Sequence, residues 1–179
     1  MIEVYLGTDP GQKGAFCALV PSTGEIYFMD TKKHYLEILG WLETIKANKD
    51  YTLRAAVIED VHSLYGMSAK SNLSFGRSIE KLHAICAIAD IKLILVQPKE
   101  WQKGVGVTAK GKEIKNNVAE LCKTLYPGCN IYGPKGGLMD GRSDSLMMAR
   151  YCAMIHEPGF ERKIIPKKPK KKKKSKPKG

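Results

Sequence analysis

Between Ile2 and Gly14 the sequence allows little besides a strand that stops on a carboxylate and at once restarts. Ile2, Val4, Leu6 and Thr8 are spaced by two and include β-branched residues, and Gly7, Pro10 and Gly11 bound them. Pro10 fixes its own φ and Gly11 tolerates positive φ, so the chain can reverse tightly. Gly14 then lets a second strand, Ala15 to Val20, begin beside the first. Asp9 is thereby predicted at a strand end among small residues. Asp-Pro-Gly is also a common turn with no chemistry attached, so a functional reading depends on which other acids join it.

The elements that follow determine which acids can do so. Pro21 to Gly24 makes a turn and Glu25 to Met29 a third strand, giving an antiparallel meander. Tyr35 to Ala47 carries Leu36, Ile38, Leu39, Trp41, Leu42 and Ile45 at helical spacing, with Trp41 read as core. Leu53 to Val61 holds the apolar run Ala55, Ala56, Val57 and Ile58, expected of a strand buried on both faces and paired in the parallel sense, and Glu59 and Asp60 end it. Ser68 to Asp90 reads as a long helix whose stripe of Leu73, Phe75, Ile79, Leu82, Ile85, Cys86 and Ile88 is wide for one sheet face. Either it is simply well buried or one side packs on a second subunit. Ile91 to Gln97 is a further buried strand. Pro98 to Lys112 reads as a flexible basic loop, Glu113 to Leu125 as an amphipathic helix, Ile131 to Gly137 as a glycine-rich connection and Asp140 to Ile155 as the last helix.

This order gives an α/β class with a mixed sheet, and a ligand site is expected near its strand ends. If the first and fourth strands are neighbours, Asp9 and Glu59 emerge at the same edge. Asp140 and Asp144, four apart, share one face of a helix. Four converging carboxylates repel one another, and a hard divalent cation removes that conflict. Two Mg²⁺ ions shared among them and a substrate phosphate would activate a water and stabilise a leaving 3′ oxygen. The other reading of Asp140 and Asp144 is a favourable contact with the helix dipole, and of Glu59 an ordinary strand-end acid.

The formal charge is +12, but Lys167 to Lys178 contributes nine lysines and no acid, leaving about +3 for the rest. One domain of ordinary size over residues 1–157 and a disordered Lys/Pro-rich basic tail over 158–179 are expected. The tail would tether a polyanion without reading it. Cys17, Cys86, Cys122, Cys129 and Cys152 form no C-x-x-C pair and read as reduced thiols rather than zinc ligands or disulfides. No apolar run approaches the ~20 residues that span a bilayer, and the first residues lack a basic leader, so a cytoplasmic protein without membrane contact is expected.

The segments G-T-D-P-G from Gly7, I-E-D-V-H from Ile58, Q-P from Gln97 and D-G-R-S-D-S-L from Asp140 resemble the RuvC-type Holliday-junction resolvases, in particular their phage-encoded branch. The resemblance runs from Met1 to His156. It implies an RNase H-like fold with a mixed five-stranded sheet flanked by helices, a homodimer, and dependence on Mg²⁺, with Mn²⁺ as a substitute and two ions per site. The implied activity is paired symmetric nicking of four-way DNA, in the host cytoplasm if the chain is phage-encoded, with no small-molecule cofactor. It makes Asp9, Glu59 and Asp144 catalytic metal ligands and Asp140 the fourth. Cellular members space the last two acids by three residues rather than four. The family's catalytic-loop lysines correspond to Lys103 and Lys112, with Lys110 as a substitute in a shorter loop, as contacts to backbone phosphate. Where cellular members carry an aromatic three residues past the strand-end Glu, this chain has His62, and Tyr65 or Phe75 could stack instead. Arg77, Lys81 and Lys70 could line the DNA path, and a solvated helix face is the alternative.

The competing enzyme is a less selective branch or flap endonuclease. A phosphotransferase of the actin-like ATPase kind shares the Asp turn, but two nucleotide-closing lobes and a second phosphate turn are missing from the sequence. A noncatalytic junction-binding protein would favour Lys or Arg where these four acids stand.

Overall fold

Alternate residues of the first strand serve two different cores, which is why its apolar residues run without a break. The computed structural model describes residues 1–60, 66, 68–157 and 159–160. Strand β1 (Ile2–Thr8) lies between β2 (Ala15–Val20), antiparallel to it, and β4 (Tyr51–Glu59), parallel to it. β3 (Glu25–Asp30) pairs outside β2, and β5 (Leu93–Val96) pairs in parallel outside β4, giving the order β3-β2-β1-β4-β5. The sheet is therefore mixed, and the predicted meander and the pairing of the first and fourth strands are both present.

On one face Val4, Leu6, Phe16, Ala18, Ala56 and Ile58 pack under α1 (Tyr35–Lys46) and α2 (Ala69–Ile88). On the other, Tyr5, Cys17, Leu19, Ala55 and Val57 pack under three helices: α3 (Pro98–Gly104), α4 (Ile114–Leu125) and α5 (Asp140–His156). Trp41 packs at the edge of the first core, its ring centroid 6.1 Å from that of Phe16. All five cysteines are free thiols, four of them buried.

Helix α5 lies against β1 because Gly7 leaves it room. A Cβ on Gly7 would stand 2.0 Å from the Ser145 carbonyl oxygen and 2.2 Å from the Ala149 nitrogen, both backbone atoms of α5. The start of α5 meets the Asp9 turn equally closely. Gly14 and Gly141 form a parallel bridge, and a Cβ on Gly141 would sit 2.2 Å from the Lys13 carbonyl oxygen.

Two expectations need correction. Pro98 to Gly104 is a helix, not a flexible loop: Pro98 occupies its first turn, where a missing N–H costs nothing, and Trp101 anchors it in the core at 1% exposure. A short 3₁₀ turn, Gly111–Glu113, completes the connection to α4. The long stripe of α2 does not face inward throughout. Leu82, Ile85 and Cys86 are buried, whereas Leu73 is 58% and Ile88 67% exposed: α2 meets the sheet only through one face of its C-terminal half, with Leu73 lying before that half and Ile88 off that face. Among the described residues no helix is long and apolar enough to cross a membrane.

Candidate functional site

β1 closes at Thr8, and the Asp9 N–H still donates to the Ala15 carbonyl at 3.0 Å, so the ladder holds Asp9 as it leaves the sheet. Gly11, at φ 132°, turns the chain back. The turn is fixed from outside by the buried Thr31, whose hydroxyl donates to the Gly11 carbonyl at 2.5 Å. Glu59 is the last residue of β4, whose register sets Ile58 opposite Thr8, so Asp9 and Glu59 follow at the same sheet end. Asp140 opens α5 and Asp144 lies one turn on, brought against β1 by the Gly7 and Gly141 contacts.

The four carboxylates share one electrostatic field. Burial pushes Asp9 well above the usual carboxylate range, and the charges of Asp144, Glu59 and Asp140 push it further, with Lys115 opposing. Asp144 is pushed up to about 7 by burial and then by Glu59 and Asp140, again against Lys115. Glu59 is raised by burial, and the hydrogen bond it accepts from Trp101 works the other way. Burial would raise Asp140 too, but the hydrogen bond and charge of Lys115 and the backbone N–H of Gly141 outweigh it and hold that carboxyl low. The site thus carries an excess of negative charge that one ammonium only partly offsets.

Two residues that sequence reasoning did not assign to the site orient its acids. The Trp101 Nε1–H donates to Glu59 Oε1 at 2.7 Å, so a core side chain of α3 aims a strand-end acid. Lys115, in the first turn of α4, donates a short hydrogen bond to Asp140 Oδ2 in an ion pair. The Pro98 helix-start signal was present for the first. For the second, the sequence shows only a lysine three residues beyond Lys112. Gln97, the residue of the Q-P pair, donates to both the Asp60 carbonyl (3.2 Å) and Oδ2 (3.1 Å), which ties the end of β5 to that of β4.

Other predicted residues fall elsewhere. Lys103, in the last turn of α3, and Lys110 and Lys112, in the connection to α4, are exposed, and the acid-paired lysine is Lys115 instead. Arg77 and Lys70 are exposed on α2. Phe75, on the same helix, is partly buried. His62, Tyr65 and residues 161–179 of the lysine tail lie outside the described residues.

The donor chemistry fits a hard divalent cation: oxygen ligands alone, with two carboxyls destabilised as anions by burial and by the neighbouring acids. The side chains are not yet gathered for one. Among the described residues no three His, Cys, Asp or Glu groups stand as a ready cage, since Glu59 is turned to Trp101 and Asp140 to Lys115.

No protein-family model and no curated protein matches the sequence. Solved structures do. Thermus thermophilus RuvC in complex with a Holliday-junction substrate is 13% identical with a TM-score of 0.52, over 87% of this chain and 96% of that one. A second Thermus thermophilus RuvC structure is 16% identical with a TM-score of 0.47, over 86% of this chain and 96% of that one. The mixed five-stranded sheet flanked by helices is the RNase H-like fold of RuvC.

Proposed function

We propose that this chain is a metal-dependent, structure-selective DNA endonuclease that resolves four-way junctions by paired phosphodiester hydrolysis, akin to the phage-encoded resolvases its motifs resemble. The observation that carries the reading is the meeting of Asp9, Glu59, Asp140 and Asp144 at one sheet end of a RuvC-like fold, in mutual repulsion. Asp9, Glu59 and Asp144 would hold Mg²⁺ or Mn²⁺, with Asp140 the fourth ligand once it leaves Lys115. Bound there, two such ions supply an activated water and stabilise the leaving 3′ oxygen.

The chain's own groups do the positioning. Trp101 fixes one Glu59 oxygen through its indole N–H. Lys115, released from Asp140, is a cation within the field of Asp9 and Asp144 that can meet the phosphate's developing charge. Lys103, Lys110 and Lys112, exposed along the connection from α3 to α4, suit the backbone of a bound strand. A homodimer would deliver two such sites to opposite strands, and the exposed Leu73 and Ile88 of α2 supply apolar surface for it.

His62, standing where cellular resolvases carry an aromatic, favours a second reading, a broader branched-DNA or flap endonuclease. Cleavage of labelled four-way junctions beside matched duplex, flap and three-way substrates, with Mg²⁺ and with EDTA, separates the readings. Paired symmetric nicks restricted to the four-way junction and lost in EDTA are expected. Equal cutting of every branched substrate would transfer the assignment to the second reading, and metal-independent binding without cutting would sink both.

A further inference from the structure

On the α2 side of the Asp9 turn lies a cleft of about 510 Å³ that the four acids do not use. Gly11 and Gln12 of the turn form one wall, Thr31 and Lys32 after β3 another, and Ser74, Arg77, Ser78 and Lys81 of α2 the third. Three cations and no acid line it. Among the described residues neither Lys32 nor Arg77 is engaged by an acid of the chain.

The cleft is braced from within. Lys81 Nζ donates to the Thr31 carbonyl at 2.8 Å and to the Lys33 carbonyl at 2.5 Å, fastening α2 to the segment that carries Lys32. Thr31 in turn holds the Gly11 carbonyl through its hydroxyl. One chain of hydrogen bonds thus runs from α2 to the Asp9 turn, and it uses two of the three ammonium protons of Lys81, leaving one for a ligand. Gln12 is three residues from Asp9, so it lies within about 11 Å of it along the chain. That is the reach of one or two nucleotides.

We propose that this cleft is a phosphate subsite for the cleaved strand: Lys32 and Arg77, with the spare proton of Lys81, seat a backbone phosphodiester one or two nucleotides from the bond at Asp9. This rests on the nuclease reading and extends it. The acids stand on one side of the Asp9 turn and the cationic cleft on its α2 side, so a strand seated in the cleft would cross the sheet end over that turn. Contacts of this kind fix the register of the strand and read no base.

The test uses the full-length protein and junctions carrying one uncharged methylphosphonate at successive positions around the cut, with binding measured in EDTA. Wild type should lose about fivefold in affinity at one or two adjacent positions. In the Lys32→Gln/Arg77→Gln variant that loss should vanish, and the slope of log affinity against log salt should fall by about 2. Lys49→Gln, at the other end of the sheet, should keep the wild-type profile. An unchanged profile and slope in the double variant would overturn the subsite. So would inorganic phosphate binding that the double variant loses while its junction profile stays that of wild type, since the cleft would then take a small free anion. If wild type shows no preference for four-way DNA, the same profile is read on duplex, so a failure of junction selectivity is told apart from a failure of the cleft. Wild type that binds no DNA would defeat both.

Discussion

Replacing Asp144 with Asn should make the metal-free protein more stable, and by an amount that grows with pH. Asp144 titrates near 7 in the folded chain and near 3.8 when unfolded. Below pH ~4 both states are protonated and the carboxyl costs nothing. Between the two values the unfolded state ionises while the folded state does not, so stability falls with rising pH, and above ~7 the full penalty is in place. A shift of about three units at 1.36 kcal/mol each sets a ceiling of about 4 kcal/mol. Residual solvation of the largely buried carboxyl softens both the burial penalty and the repulsion, which leaves about 1–3 kcal/mol at pH 8. Urea unfolding of wild type and Asp144→Asn in EDTA at pH 4 and pH 8 measures it. A gain at pH 8 that disappears at pH 4 is expected, together with stabilisation of wild type, but much less of the variant, by millimolar Mg²⁺. A variant no more stable than wild type at pH 8, or a gain independent of pH, would refute the burial penalty and repulsion on which the reasoning rests.

Four further outcomes follow from particular contacts. Gly7→Ala drives a methyl into the backbone of α5 at Ser145 and Ala149, so it should cost more than about 3 kcal/mol by chemical denaturation or prevent folding. Trp101→Phe keeps most of the packing but removes the donor to Glu59; a loss of about 1–2 kcal/mol and a larger proportional loss of kcat for DNA cleavage are expected. Lys115→Met removes the cation that lowers Asp9 and Asp144, so the rise of cleavage rate with pH should move to higher pH in a pH–rate profile at saturating metal. Deletion of Pro166–Gly179 removes nine lysines, and should weaken DNA binding at low salt and flatten its salt dependence while leaving the cleavage pattern intact, as read by gel shift and product mapping.

Much of the fold was legible because local chemistry and long-range packing agree at the strand ends. Period-two apolar residues before Asp-Pro-Gly forecast β1 and its stop, and the unbroken run Ala55 to Ile58 forecast a strand covered on both faces. Asp140 and Asp144 were readable as a pair because i and i+4 share a helix face wherever the helix packs. The basic stretch after Pro98 misled: its glycines and lysines carry a loop composition, and one buried indole outweighs them by filling the core and donating to Glu59. Lys115 was invisible for another reason. Its contact with Asp140 depends on how α4 and α5 pack, and nothing local to either helix encodes that. The glycine at position 7 looked like strand punctuation, whereas its absent Cβ is what lets α5 approach and bring Asp144 beside Asp9.

The central claim is that Asp9 organises a divalent-metal site at this sheet end, and Mn²⁺ binding followed by electron paramagnetic resonance tests it without reference to any substrate. Wild type should take up Mn²⁺ in competition with Mg²⁺, with Asp9→Asn losing at least about tenfold in affinity while staying folded. Equal Mn²⁺ binding by the two proteins would contradict the account.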